Sequence, residues 1–262
     1  MKLEDIWVKR TVERNGKRVP TFWNPQPLEG DTTGVNLELM AKLVALGLNL
    51  ELPVGELVSQ QLKRVPGLNV GVAGLVLRSA IADEARHHKG FTYAASYLRA
   101  HGVEIPLSEA ESFRKELDGL PYSPITVAGL LEVTLFLPFL AMMRLEGGRP
   151  FNHLALGINT DEQRHTVVNA GISEALGDPI HTCARFHPIR ESVLEWVGKS
   201  TEHTDLLYRA SRELFESQDS PSLNKLAQVA SVAFVAPFEN ANGITYGRLP
   251  DEDWEKDLEV IR

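Results

Sequence analysis

The sequence predicts an all-α fold: a four-helix bundle built from two helical hairpins, with an extended N-terminal arm and extra C-terminal helices. Three observations carry this. Leucines recur at helical spacing through residues 34–65, at Leu37, Leu39, Leu43, Leu46, Leu48, Leu50, Leu57 and Leu62. The stretch from Pro124 to Glu146 is apolar almost all round, as a buried helix must be. And the chain writes Asp-Glu-x-Arg-His twice, as Asp83-Glu84-Ala85-Arg86-His87 and as Asp161-Glu162-Gln163-Arg164-His165.

Residues 1–32 are polar and punctuated by Asn15-Gly16, Pro25, Pro27 and Gly30, which reads as an arm with a short hairpin at Asn15-Gly16. Residues 33–262 read as a single helical domain, with a core bundle over 34–176. The first helix, 34–65, stops at Val65-Pro66-Gly67 and contains Pro53, which frees a carbonyl and should bend it. A second runs from about Val72 to Ala100, and a helical turn region covers 107–118. The third starts near Pro124 and ends at Glu146-Gly147-Gly148. The fourth spans about 151–176 and closes at Gly177-Asp178-Pro179. Further helices are expected within 188–237, at 188–217 and 221–237, and a polar tail over 238–262.

The two pentapeptides belong to a longer repeat. In each half a helix carrying one Glu (Glu51, then Glu132) precedes a turn, and the helix after the turn carries Glu-x-x-His. Glu51 lies 16 residues before Gly67 and Glu84 lies 17 after it; Glu132 lies 16 before Gly148 and Glu162 lies 14 after it. In an antiparallel hairpin, equal distance from the turn means equal depth, here about 20–25 Å at 1.5 Å per residue. All four carboxylates can therefore meet at one level. Glu56 is the rival to Glu51, but sits about four residues too shallow by the same arithmetic.

On a helix, residues i and i+3 point the same way, so each Glu-x-x-His can present a carboxylate and an imidazole to one cation. The plain alternative for one such motif is a solvated helix face. Two motifs at matching depth, each facing a further carboxylate, point to a metal site of the four-helix kind. Glu132 sits within Leu130-Leu131-Glu132-Val133, where an unpaired carboxylate would cost several kcal/mol or take up a proton. Four carboxylates and two neutral imidazoles around two dications sum to zero charge, which suits a low-dielectric core. Mixed oxygen and nitrogen donors suit iron or manganese better than zinc or calcium. Asp83 and Asp161 could each hold the histidine of the opposite hairpin, and Arg86 and Arg164 could pair with those aspartates.

Bulk properties narrow the class. A net charge of -8 and a pI near 5.5 argue against nucleic acid or an anionic membrane as partner. The single cysteine, Cys183, excludes an internal disulfide framework and suits a reducing, cytoplasmic setting. The first ten residues lack the apolar core of a secretory signal. No run reaches the length of a membrane span: the most apolar one, Val127 to Met143, contains Glu132 and Pro138.

The order Glu…Glu-x-x-His…Glu…Glu-x-x-His, written here by Glu51, Glu84, His87, Glu132, Glu162 and His165, resembles that of the ferritin-like di-iron carboxylate superfamily. The Asp-Glu-x-Arg-His wording is most similar to bacterial multicomponent monooxygenases, and the resemblance covers about 50–176. It implies a ferritin-like bundle with those six residues as metal ligands, two Fe ions or a Mn/Fe pair, and the partners common there: O2, a small apolar substrate, an electron-donor protein or reductant, and a second copy in a homodimer. The implied activity is that of a di-iron oxygenase or oxidase, with Phe91, Leu135, Phe136 and Phe139 expected along an apolar pocket. Two alternatives stand beside it. One is a radical-generating protein like the ribonucleotide reductase small subunit. Against it, Phe91 occupies the usual radical-tyrosine position, Tyr93 and Tyr97 are offset, and Trp7, Trp23, Trp196 and Trp254 fall outside the four core helices. The other is a non-enzymatic iron-binding or structural bundle.

Overall fold

The computed structural model describes residues 23–69, 71–178 and 184–198. Among these residues the protein is all-helical, with six helices and no strand. Helix α1 is Leu37–Arg64. The Asn36 side chain accepts the Leu39 N–H at its start, Glu38 lies in the first turn, and Lys63 and Arg64 lie in the last, each complementing the helix dipole. The helix runs unbroken through Pro53. A 3-10 turn, Pro66–Asn69, leads toward α2, Gly71–Ala100. Helix α3 is Leu107–Leu117. Helix α4, Pro124–Glu146, is capped by Ser123 with Pro124 in its first turn, where a missing N–H costs nothing. Helix α5, Gly148–Ala175, follows at once, the reversal made by Gly148 at φ 58°. Helix α6 is His187–Val197.

Four of these helices form a cycle of neighbours: α1 packs on α2, α2 on α5, α5 on α4, and α4 on α1. Leu43, Leu46, Leu50, Leu130, Phe151 and Ile158, all nearly inaccessible, fill the space between them. Each contributes about 1.5–3 kcal/mol by leaving water. Helix α3 covers α1 and meets α6.

Two expectations need correction, and a third feature was not anticipated. The helix expected over 188–217 stops at Val197, because Gly198 adopts φ 83°, a left-handed end that glycine reaches without a Cβ penalty. Residues beyond it, with the expected helix at 221–237, the tail, Cys183 and residues 1–22, lie outside the described residues. Second, α4 at 23 residues is long and apolar enough by length and composition to cross a membrane. Its most apolar window is wholly buried inside the protein, as a core helix must be. Third, α4 is not uniform. Its turn Glu132–Phe136 is a π-helix. Pro138 has no N–H for the Thr134 carbonyl and its ring crowds that carbonyl, so a wider turn just before it relieves the conflict. The Thr134 hydroxyl donates back to the Leu130 carbonyl at 2.6 Å.

The described part of the arm, 23–36, is tied down rather than loose. The Asn36 N–H donates to the Glu146 carbonyl at the end of α4 (2.8 Å), and the Tyr97 hydroxyl donates to the Asp31 carbonyl (2.7 Å). Tyr97 is thereby a structural anchor for the arm.

Candidate metal centre

Each of the four central helices delivers acid or imidazole to one level. Helix α1 brings Glu51, α2 brings Glu84 and His87, α4 brings Glu132 from the first residue of its π turn, and α5 brings Glu162 and His165. None is more than 2% exposed. Their donor atoms fall into two overlapping groups that could hold a metal ion, Glu51–Glu84–His87–Glu162 and Glu84–Glu132–His165, with the atoms of each group within 4.8 Å of one another. Glu84 belongs to both. All six residues singled out from the sequence are thus brought together, while Glu56, the rival to Glu51, is exposed and lines a surface groove with Arg64 and Arg114.

The two imidazoles are held alike. His87 Nε2 donates to Asp161 Oδ2 at 3.2 Å, and His165 Nε2 donates to Asp83 Oδ2 at 3.1 Å. Each aspartate therefore serves the histidine of the opposite hairpin. An ionised carboxylate only accepts, so each Nε2 carries a proton and each Nδ1 faces inward. Arg86 pairs with Asp83 on its own helix and reaches Asp161 Oδ2 at 3.5 Å, joining the two halves.

Inside this ring the donors converge on shared space rather than on each other. His87 Nδ1 lies 3.2 Å from Glu51 Oε2, 3.2 Å from Glu162 Oε1 and 3.5 Å from Glu84 Oε2. His165 Nδ1 lies 3.0 Å from Glu84 Oε1, 3.6 Å from Glu162 Oε1 and 3.8 Å from Glu132 Oε1. Of these only the His87–Glu51 contact has hydrogen-bond geometry; both oxygens of Glu84 and of Glu162, Glu51 Oε1, Glu132 Oε1 and His165 Nδ1 are buried without a hydrogen bond. Buried polar atoms are ordinarily satisfied, and leaving one unmet costs about 1–3 kcal/mol, more if charged. A cation between them satisfies all at once. The donor set, four carboxylates and two Nδ1 atoms, fits iron or manganese.

The electrostatics of the metal-free ring point the same way. Burial raises Glu51 well above the carboxylate range, and burial with the nearby Glu162 charge does the same to Glu132. Burial would raise Glu84 too, but the facing imidazoles of His165 and His87 outweigh it and hold that carboxyl low. Burial disfavours charge on both histidines. The Glu51 charge and the Asp161 bond overcome it at His87, and the Asp83 bond with the facing Glu162 and Glu84 carboxylates overcomes it at His165, so both titrate well above the usual range.

Two contacts were not read from the sequence. Asn169 Nδ2 donates to Glu132 Oε2 at 2.7 Å. Its signal was its place one turn after His165, on the face of Glu162 and His165. The other is Trp23, whose ring centroid lies 6.2 Å from that of His87. It enters through two glycines. A Cβ on Gly157 would overlap the indole, and one on Gly90 would come within 2.7 Å of it. Trp23 lies outside the four core helices along the chain, as expected, but the arm folds back across α2 and α5 and packs it against them, which no local pattern announces. Phe91, Leu135, Phe136 and Phe139 are buried in the packed core. The Arg164 side chain lies outside the described residues, as do His181 and His203; His153 is exposed and His187 half-buried. No protein family, no curated protein and no solved structure matches this chain.

Proposed function

We propose that this protein is a di-metal carboxylate oxidoreductase of the ferritin-like four-helix kind, using an Fe/Fe or Mn/Fe pair and O2 to oxidise a small apolar organic substrate. The observation that carries the reading is the ring of buried, hydrogen-bond-free donor atoms, backed by an aspartate on the outer nitrogen of each histidine. When bound, the metal pair would supply the redox chemistry of oxygen activation.

The chain's own residues do the rest. Glu84, common to both donor groups, would bridge the pair. Asp161 and Asp83 keep the proton on each Nε2 and so hold each Nδ1 as a lone-pair donor. Arg86 fixes both aspartates from one point, which sets the two halves in register. Trp23 packs near His87, its ring tilted by 49° to the imidazole, and helps to exclude water from that side. Buried Phe136, Leu135 and Phe139 beside Glu132 favour an apolar substrate. The test is oxygen uptake by the anaerobically prepared, ferrous-loaded protein, with and without reductant. Uptake of O2 in fixed proportion to iron supports the reading, and its absence removes it.

A second reading, a radical-generating protein feeding a partner, is favoured by one contact. The Trp23 ring centroid lies 6.2 Å from that of His87 and Trp23 is itself half-buried, so an oxidisable side chain stands between the centre and the surface. A tryptophan-type electron paramagnetic resonance signal after O2 exposure, absent in Trp23→Phe, would support it.

A further inference from the structure

We infer that Asn169 is a positioning residue for one of two unequal cation positions: it aims Glu132 at the position shared with His165, which is the weaker and more open of the two because it has fewer donors. The inference rests on the di-metal reading above. The first donor group offers four residues, Glu51, Glu84, His87 and Glu162; the second offers three, Glu84, Glu132 and His165. Glu132 is further restricted. Its Oε2 accepts the 2.7 Å hydrogen bond from Asn169 Nδ2, while its Oε1 is buried with no hydrogen bond. One oxygen is committed to the amide, so Glu132 presents the other to a cation and takes up one coordination position rather than two. Asn169 is 1% exposed, so water cannot readily replace it.

The first position has no such amide. The residue matching Asn169 in the repeat is Phe91, one turn after His87, and its ring packs where a Cβ on Gly47 would stand, within 2.5 Å. Glu51 instead faces His87 Nδ1. The Asn169 contact therefore acts on the second position alone. A cation there has fewer protein donors and more places for an outside small ligand. It fills last and leaves first.

The experiment is a competition titration of the full chain with Co(II) against a chromophoric chelator, followed by azide, read by visible absorption. The wild type should bind two Co(II) in two resolved steps, and azide should perturb the spectrum once the second has bound. Asn169→Leu should weaken the second step about 10–100-fold, the range for loss of a partner that orients a ligand, and leave the first within about twofold. Asn169→Gln, which keeps an amide, should recover part of the loss. A merely structural asparagine would move both steps together. Equal weakening of both steps, no change in either, or an azide response after the first equivalent would each overturn the inference. A wild type that binds two Co(II) while Asn169→Leu behaves identically sinks this inference alone. A wild type that binds no Co(II) sinks the di-metal reading with it.

Discussion

The two hairpins present the same side chains and surround them differently. In α1–α2, Glu51 and His87 are flanked by Gly47 and Phe91, and Trp23 from the arm packs near the imidazole. In α4–α5, Glu132 opens a π turn, an amide holds it, and Ala128 and Asn169 occupy the places of Gly47 and Phe91. The first half is closed by close packing of a large ring against a glycine. The second is closed by a polar contact and a backbone irregularity. The same side-chain types repeat in both halves, as a pair of cation positions would require; the supports differ because each must fit its own neighbours. π turns are found disproportionately at functional sites, and this one falls on a donor.

The comparison breaks most sharply at the residue common to both halves. Glu84→Ala should abolish binding at both positions, whereas Glu51→Ala and Glu132→Ala should each lose one cation per chain. Elemental analysis of the purified variants decides this. If Glu84→Ala retains a full complement, the shared-donor geometry is wrong.

Arg86 tests the link between the halves. Arg86→Leu removes a partner of Asp83 and Asp161 together, so affinity at both positions should fall about 10–100-fold. A chelator-competition titration in which only one step moves would show that Arg86 serves a single hairpin.

Packing offers the next test. Gly47→Ala forces a Cβ to within 2.5 Å of the Phe91 ring and should cost about 1–3 kcal/mol of stability. Ala128→Gly, its counterpart, should cost only about 1 kcal/mol, mostly from helix propensity. Gly157→Ala should resemble Gly47→Ala and also expel Trp23, seen as a red shift in the Trp23 share of the fluorescence (wild type minus Trp23→Phe). Urea unfolding that ranks Ala128→Gly as the costliest of the three would overturn the close-packed picture of the first half.

The smallest effect is on protons. In the metal-free ring both histidines titrate high, so near neutral pH they hold protons that a cation must displace. Loading should therefore release protons into weakly buffered solution, and affinity should fall as pH falls, since protonation then competes better. Release that falls in one of His87→Ala and His165→Ala but is unchanged in the other would contradict equal roles for the two imidazoles.

Much of this was legible in the sequence because it is written locally. A Glu and a His three apart share a helix face whatever the helix packs against, and distance from a turn fixes depth; Glu51 was preferred to Glu56 on that ground alone. The crossing of Asp83 to His165 and Asp161 to His87 could be anticipated for the same reason, since each pentapeptide repeats at equal depth. The far helix ends were less legible. Gly198 halts α6 well before the expected 217, and a lone glycine in a polar stretch gives little warning of its φ.

The sequence alone determined the helical class, the pairing of helices into hairpins and the six donors, because each depends on periodicity and spacing along one chain. Only the tertiary structure decided that Trp23 enters between Gly90 and Gly157, that Asn169 reaches Glu132, that Arg86 spans to Asp161, and that α4 widens at Glu132. The first three join residues far apart in the chain, and the fourth reconciles Pro138 with a buried helix. Such contacts arise from how finished helices fit together, and no local period encodes that fit.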